Sequence, residues 1–193
     1  MLDLTPATAE VARIVRAVTD DQLSAATPCT ELTVADLLDH LGGLCAAFAM
    51  AARKEPGVEG TNATFDGSRL DDGWRDQIPG ALADLAASWQ APDAWEGMTA
   101  AGGVEMPGEI GGLVALDEVV VHGWDLATAT GQDYDPPADA VGALHDFVAG
   151  WVSDEVPEDS PFGRPVDVPT DAPVLDRLVG LTGRDPGWRP SSS

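Results

Sequence analysis

Residues 107–130 read PGEIGGLVALDEVVVHGWDLATAT, and this run decides the fold. Pro107 suits the opening of a helix and Gly131 its end, so one helix is predicted from Pro107 to about Thr130. At about 100° per residue, Ile110, Leu113, Val114, Leu116, Val119, Val120, Val121, Trp124 and Leu126 spread over most of its circumference. A helix apolar on nearly every side belongs in the middle of a core. One narrow stripe interrupts it: Gly111, Ala115, Glu118, His122 and Asp125.

The stripe has two readings. It is either the wet face of an amphipathic helix or an inward-facing polar seam that needs a partner, because a buried carboxylate without one is costly. A wet face is usually wider and rich in Lys, Glu or Gln, whereas this one is flanked by glycine and alanine. Glu118 and His122, four residues apart, share a face and can direct oxygen and nitrogen lone pairs at one cation. Asp117 falls among the apolar directions, and the pattern assigns it no place.

A third ligand has to come from elsewhere, and the chain has three histidines in all. On the helix predicted from Val34 to about Lys54, the residues Val34, Leu37, Leu38, Leu41, Leu44, Cys45 and Phe48 form the apolar stripe, with His40 at its edge. His40 is either a metal ligand or a boundary histidine bonded to an acid such as Asp36, one turn back. The two are compatible, since metal-bound imidazoles usually donate their other N–H to such a group. His145 has no acid at a matching spacing and reads as structural.

Working outward, Thr5 reads as the cap and Pro6 as the first position of a first helix, with Val11, Ile14, Val15 and Val18 at helical spacing. Thr33 caps the second, with Asp36 in its first turn. Residues 55–70 read as a loop. A third helix is predicted from Asp71-Asp72 to about Trp89, kinked or broken at Pro79-Gly80. Trp95 to Val104 has room for a short hairpin. A fifth helix is predicted from Asp135-Pro136 to about Ser153, then a proline-rich linker and a last short helix between Thr170-Asp171 and Gly183. Long helices with little strand predict an all-α bundle built on four principal helices.

With 193 residues, one domain is expected over residues 1–188, with a disordered tail at 189–193. Ten basic against thirty-three acidic residues give a net charge of −23, which argues against nucleic acid or an anionic membrane as partner. No secretory signal is visible, and the uncharged run Leu41 to Ala52 is too short to span a bilayer. Two cysteines, Cys29 and Cys45, fit reduced thiols in a cytoplasm. A homodimer is compatible with such a bundle.

The stretch Thr27 to Leu41, TPCTELTVADLLDHL, resembles the first signature of the mycothiol-dependent maleylpyruvate isomerase metal-binding domain. Met106-Pro107-Gly108-Glu109 and the run Glu118 to Ala127, EVVVHGWDLA, resemble the second. Leu175 to Leu178 and Gly183 to Pro186 resemble the ending of a short subgroup of that family. Leu32 stands where the family usually has tryptophan.

The resemblance implies a DinB-like four-helix bundle, here with additional short helices and a C-terminal extension. It also implies a divalent metal on His40, Glu118 and His122, and mycothiol or a similar small thiol as cofactor. The isomerase proper carries a further C-terminal domain, whereas about forty residues follow the fifth helix here, too few for such a domain.

Three protein ligands leave a coordination position open, as catalytic sites do. Zn²⁺ is the default ion, and Fe²⁺ and Ni²⁺ suit the same ligands. Asp125, one turn past His122, is the candidate acceptor or acid–base group. Arg164, Arg177 and Arg184 are candidates to grip an anionic substrate or the thiol. Cys29 is expected to pack as a small apolar side chain, and Trp124 with Leu44 to line a small-molecule pocket. The function expected is a thiol-dependent transferase or isomerase acting on a small electrophile. The alternatives are a non-catalytic, metal-binding or stress-associated domain and a non-haem iron oxidoreductase.

Overall fold

Capping chemistry sets where the helices begin. The Thr33 hydroxyl accepts the Asp36 N–H at 3.2 Å, while Asp36 Oδ2 accepts the Thr33 N–H at 2.9 Å. This reciprocal box starts α2, Val34–Ala52. Asp36 Oδ1 also accepts the Gly67 N–H at 2.9 Å, tying the following loop to the helix start. At the first helix, α1, Thr5–Ala17, the Asp3 carboxylate takes the Thr5 N–H at 2.9 Å. Thr5 therefore opens the helix and does not cap it.

The computed structural model describes residues 1–55, 63–151 and 163–190. The predicted end of the fifth helix at Ser153, most of the proline-rich linker, part of the 55–70 loop and the last residues of the tail lie outside them.

Helix α3, Trp74–Ser88, runs unbroken through Pro79, which is itself buried. Burial of Ile78, Leu82 and Leu85 around it offsets the hydrogen bond that proline cannot donate. A hairpin follows: β1, Met98–Ala101, pairs antiparallel with β2, Val104–Pro107. Its two-residue turn is Gly102-Gly103, with φ of 57° and 81°, values that favour glycine at both places. Helix α4, Gly108–Thr130, then α5, Ala138–Ala149, and α6, Val174–Leu181, complete the chain. Helix α5 starts later than Asp135-Pro136 because Pro136 and Pro137 precede it, Pro137 standing at its N-cap.

Helices α1 and α2 each pack against both α3 and α4, so the four form a ring around one core. Helix α5 joins α4 to α6 on the outside. Val11, Ile14, Leu37, Leu41, Leu82, Leu85, Leu116 and Val119 fill the centre, none exposed beyond 0%. Helix α2 is long and apolar enough to cross a bilayer. Here its apolar residues are buried against the neighbouring helices.

Helix α4 is covered on nearly all sides, as its composition requires. Its polar stripe therefore points into the protein and meets α2.

Candidate metal centre

Glu118 and His122 stand one turn apart on α4, with His122 Nε2 3.1 Å from Glu118 Oε2. From α2, His40 Nε2 approaches the same oxygen at 3.5 Å. One donor atom from each of the three residues lies within 4.8 Å of the others. Ligands about 2.05 Å from a tetrahedral ion stand about 3.3 Å apart, so these spacings fit a shared cation. The two imidazoles meet edge-on, centroids 5.1 Å apart, and His40 stacks on Phe65 at 3.8 Å. Asp36, the expected acceptor for His40, is occupied at the start of α2. His40 Nδ1 has no partner among the described residues.

Behind His122, its Nδ1 lies 3.0 Å from Asp125 Oδ2. A carboxylate only accepts, so Nδ1 carries a hydrogen, and without a cation Nε2 carries one towards Glu118 as well; a cation bound there would take the place of the Nε2 hydrogen. Asp125 is 0% exposed and is held in turn by Arg184, whose Nη2 donates to Oδ2 at 3.0 Å. Burial opposes a proton on His122, but Asp125 and Glu118 outweigh it and push its pKa up to about 9. Burial likewise pushes Glu118 upward, and His122 and His40 more than reverse this, leaving it below the usual carboxylate range.

These groups border a cavity of about 360 Å³. His40, Glu118 and His122 form one wall, Asp117 and Val121 extend it along α4, and Cys29 closes the side of the loop before α2. The last wall is Thr182-Gly183-Arg184, past the end of α6. Gly183 has φ of 87°, and a Cβ there would stand 2.8 Å from Gly163 Cα. Glycine lets the chain turn against that backbone and deliver Arg184 inward.

Of the three arginines singled out by sequence, the structure brings Arg184 alone to the cavity. Arg177 donates to His145 Nε2 at 2.8 Å, joining α6 to α5, and Arg164 is exposed. Asp125 sits behind His122 and is not part of the lining, nor are Trp124 and Leu44. Cys29 is not packed away: its Sγ faces the cavity, 3.7 Å from Arg184 Nη2. Burial pushes its thiol pKa up, and Arg184 pulls it back in part. Cys29, His122 and Asp125 also cluster closely enough to hold an ion, but the Arg184 guanidinium already occupies that spot.

Sequence reasoning left Asp117 unplaced. It is 5% exposed, lines the cavity, and its Oδ1 has no partner among the described residues. Burial and the neighbouring Glu118 charge push its pKa up to about 7, against the pull of Arg184 and His122. The available signal was the misfit itself, a carboxylate in an otherwise apolar direction of α4.

The family described as "Mycothiol maleylpyruvate isomerase N-terminal domain" matches residues 4–127. An uncharacterized Mycobacterium tuberculosis protein, found in strains CDC 1551 and H37Rv, is 28% identical over 172 residues, covering 85% of this chain and 86% of its own. Crystal structures of the mycothiol-dependent maleylpyruvate isomerase and of a histidine-to-alanine mutant of it superpose with TM-scores of 0.56 and 0.57. They are 22% and 19% identical to this chain and cover 76% of it and 68% of their own chains, a likeness of fold.

Proposed function

Since the chain belongs to the mycothiol maleylpyruvate isomerase N-terminal domain family, we propose that it is a metal-dependent, thiol-using enzyme acting on a small electrophile. The observation that carries this reading is the convergence of His40 Nε2 and His122 Nε2 on Glu118 Oε2 at the edge of a cavity. A divalent cation there favours thiolate over thiol, and a bound small thiol such as mycothiol supplies a nucleophile for transfer to, or isomerisation of, the electrophile.

The protein's own part is to hold and orient. His40, Glu118 and His122 supply three ligands and leave a position open. Asp125 fixes the ring of His122, and Arg184 fixes Asp125. Arg184, the candidate for gripping an anion, instead donates to Asp125 and to the Thr182 carbonyl. The cavity, about 360 Å³, is large enough for a small organic molecule beside a sulfur. Zn²⁺ is the ion proposed; Fe²⁺ and Ni²⁺ fit the same donors. Cys29 and Cys45 are free thiols, in keeping with a reducing cytoplasm. Residues 1–188 are proposed to act as one domain.

Metal analysis of protein purified without added ions tests the centre. Stoichiometric zinc in the wild type, lost in Glu118→Gln and His40→Ala, is expected. Retention by both variants sinks the centre, and iron in its place favours the oxidoreductase alternative. Turnover of an electrophile panel with mycothiol then tests the activity, and a loaded protein that consumes none is a binding domain.

A further inference from the structure

We propose that Asp117 is a ligand-binding residue, accepting a hydrogen bond from a hydroxyl or amide N–H carried by the thiol. This rests on the thiol-binding reading above and adds to it the chemistry of one wall.

The fold does not need a carboxylate at Asp117. The residue lies among apolar directions of α4, and a leucine or valine there would continue the surface formed by Leu116, Val120 and Val121. Asp117 is nevertheless 5% exposed with Oδ1 lacking a partner among the described residues. A buried polar atom left unsatisfied destabilises a fold, so its presence calls for a partner that arrives from outside the chain. That partner comes through the cavity, which Asp117 lines.

The surroundings define the partner. Among the described residues Arg184 is the one Arg or Lys in the lining, and it is committed elsewhere: Nε and Nη2 to Asp125 at 3.4 and 3.0 Å, Nη1 to the Thr182 carbonyl at 3.0 Å. No ion pair reaches Asp117 among the described residues. Glu118 follows it directly in the chain and borders the same cavity, so among the described residues this wall offers acceptor oxygens and no free positive charge to an anionic end of a ligand. A carboxyl oxygen accepts a hydrogen bond in either protonation state. The group that suits this wall is thus a neutral donor, as found on thiols that carry hydroxyls and amides, and not a carboxylate of the electrophile.

The test uses full-length, cobalt(II)-loaded protein. The thiolate-to-cobalt absorption is titrated with mycothiol, which bears hydroxyls and amides, and with 1-propanethiol, which bears neither. In Asp117→Leu, mycothiol should bind about 10- to 100-fold more weakly, the loss of a hydrogen bond together with the unpaired donor it leaves on the thiol, with propanethiol binding unchanged. Asp117→Asn, which keeps an acceptor oxygen, should stay within a few-fold of wild type. Without any thiol, the melting temperature of Asp117→Leu should rise, an outcome that a structural role for this carboxylate does not produce.

Equal weakening of both thiols, no weakening of either, loss of cobalt, or a lower melting temperature in Asp117→Leu overturns the proposal. If wild-type protein retains cobalt but shows no band with either thiol, the thiol-binding reading itself fails, and the Asp117 proposal with it.

Discussion

His122 is held from behind by Asp125 at 3.0 Å, and Asp125 by Arg184. Such partners fix a ligand's ring and tautomer, and removing one typically weakens metal binding about 10- to 100-fold. Asp125→Asn should therefore lower zinc affinity by about that factor, measured by competition with a chromophoric chelator; unchanged affinity would show that Asp125 does not orient the ring. The same variant has a second readout in metal-free protein. Because Asp125 and Glu118 together, against burial, raise His122 from 6.5 to about 9, their pairing with it stabilises the fold fully below 6.5 and is lost as pH climbs through about 9. Proton titration of the ring by NMR should find it well above the ordinary value in wild type and lower in Asp125→Asn. Glu118 and His122 were legible in the sequence because both lie on one helix, where spacing gives direction. Arg184 was legible only as one of three scarce cations and Cys29 as a small side chain expected to pack away, since spacing does not say what faces a helix from another part of the chain; Asp117, on the same helix, showed as a misfit without a place. Arg184 meets Asp125 across a sequence separation of 59 residues.

At the scale of elements, boundaries were legible wherever a side chain caps them. Thr33 and Asp36 start α2 as their types predicted, and Gly131 ends α4 with φ of 68°. They were less legible where packing overrides local preference, as at Pro79, where the sequence predicted a break and the helix continues. Thr33→Ala should cost about 1 kcal/mol in urea unfolding; a change near zero would mean the box is idle. The Asp36 carboxyl is held below its ordinary value by the Thr33 hydroxyl, the Gly67 N–H and the Thr33 N–H. Its contribution is therefore present above pH 3.8 and lost as pH falls through the depressed value. Asp36→Asn should flatten that acid limb of the stability curve. An acid limb identical to wild type would mean that these bonds form equally well in the unfolded chain.

For the whole molecule, the family match ends at residue 127, yet the cavity is completed by residues 182–184. The C-terminal extension, whose role sequence alone did not reveal, thus supplies the wall carrying Arg184. The bundle and this extension meet at one centre, and a cation bound there would hold α2 to α4 in the folded state alone. Metal at 100 times its dissociation constant should stabilise the protein by about 2.7 kcal/mol. A net charge of −23 complicates that measurement, because an acidic surface attracts divalent cations wherever it is exposed. The two effects separate by depth. Salt at 1 M shortens the screening length to about 3 Å, which suppresses diffuse attraction and stabilises the metal-free protein by muting its self-repulsion. It cannot displace a cation held by His40, His122 and Glu118 at contact distance. Thermal melts in high salt should therefore retain the zinc-dependent rise in wild type and lack it in Glu118→Gln. A rise that disappears with salt, or survives in that variant, would assign the stabilisation to the surface and leave the centre without a cation.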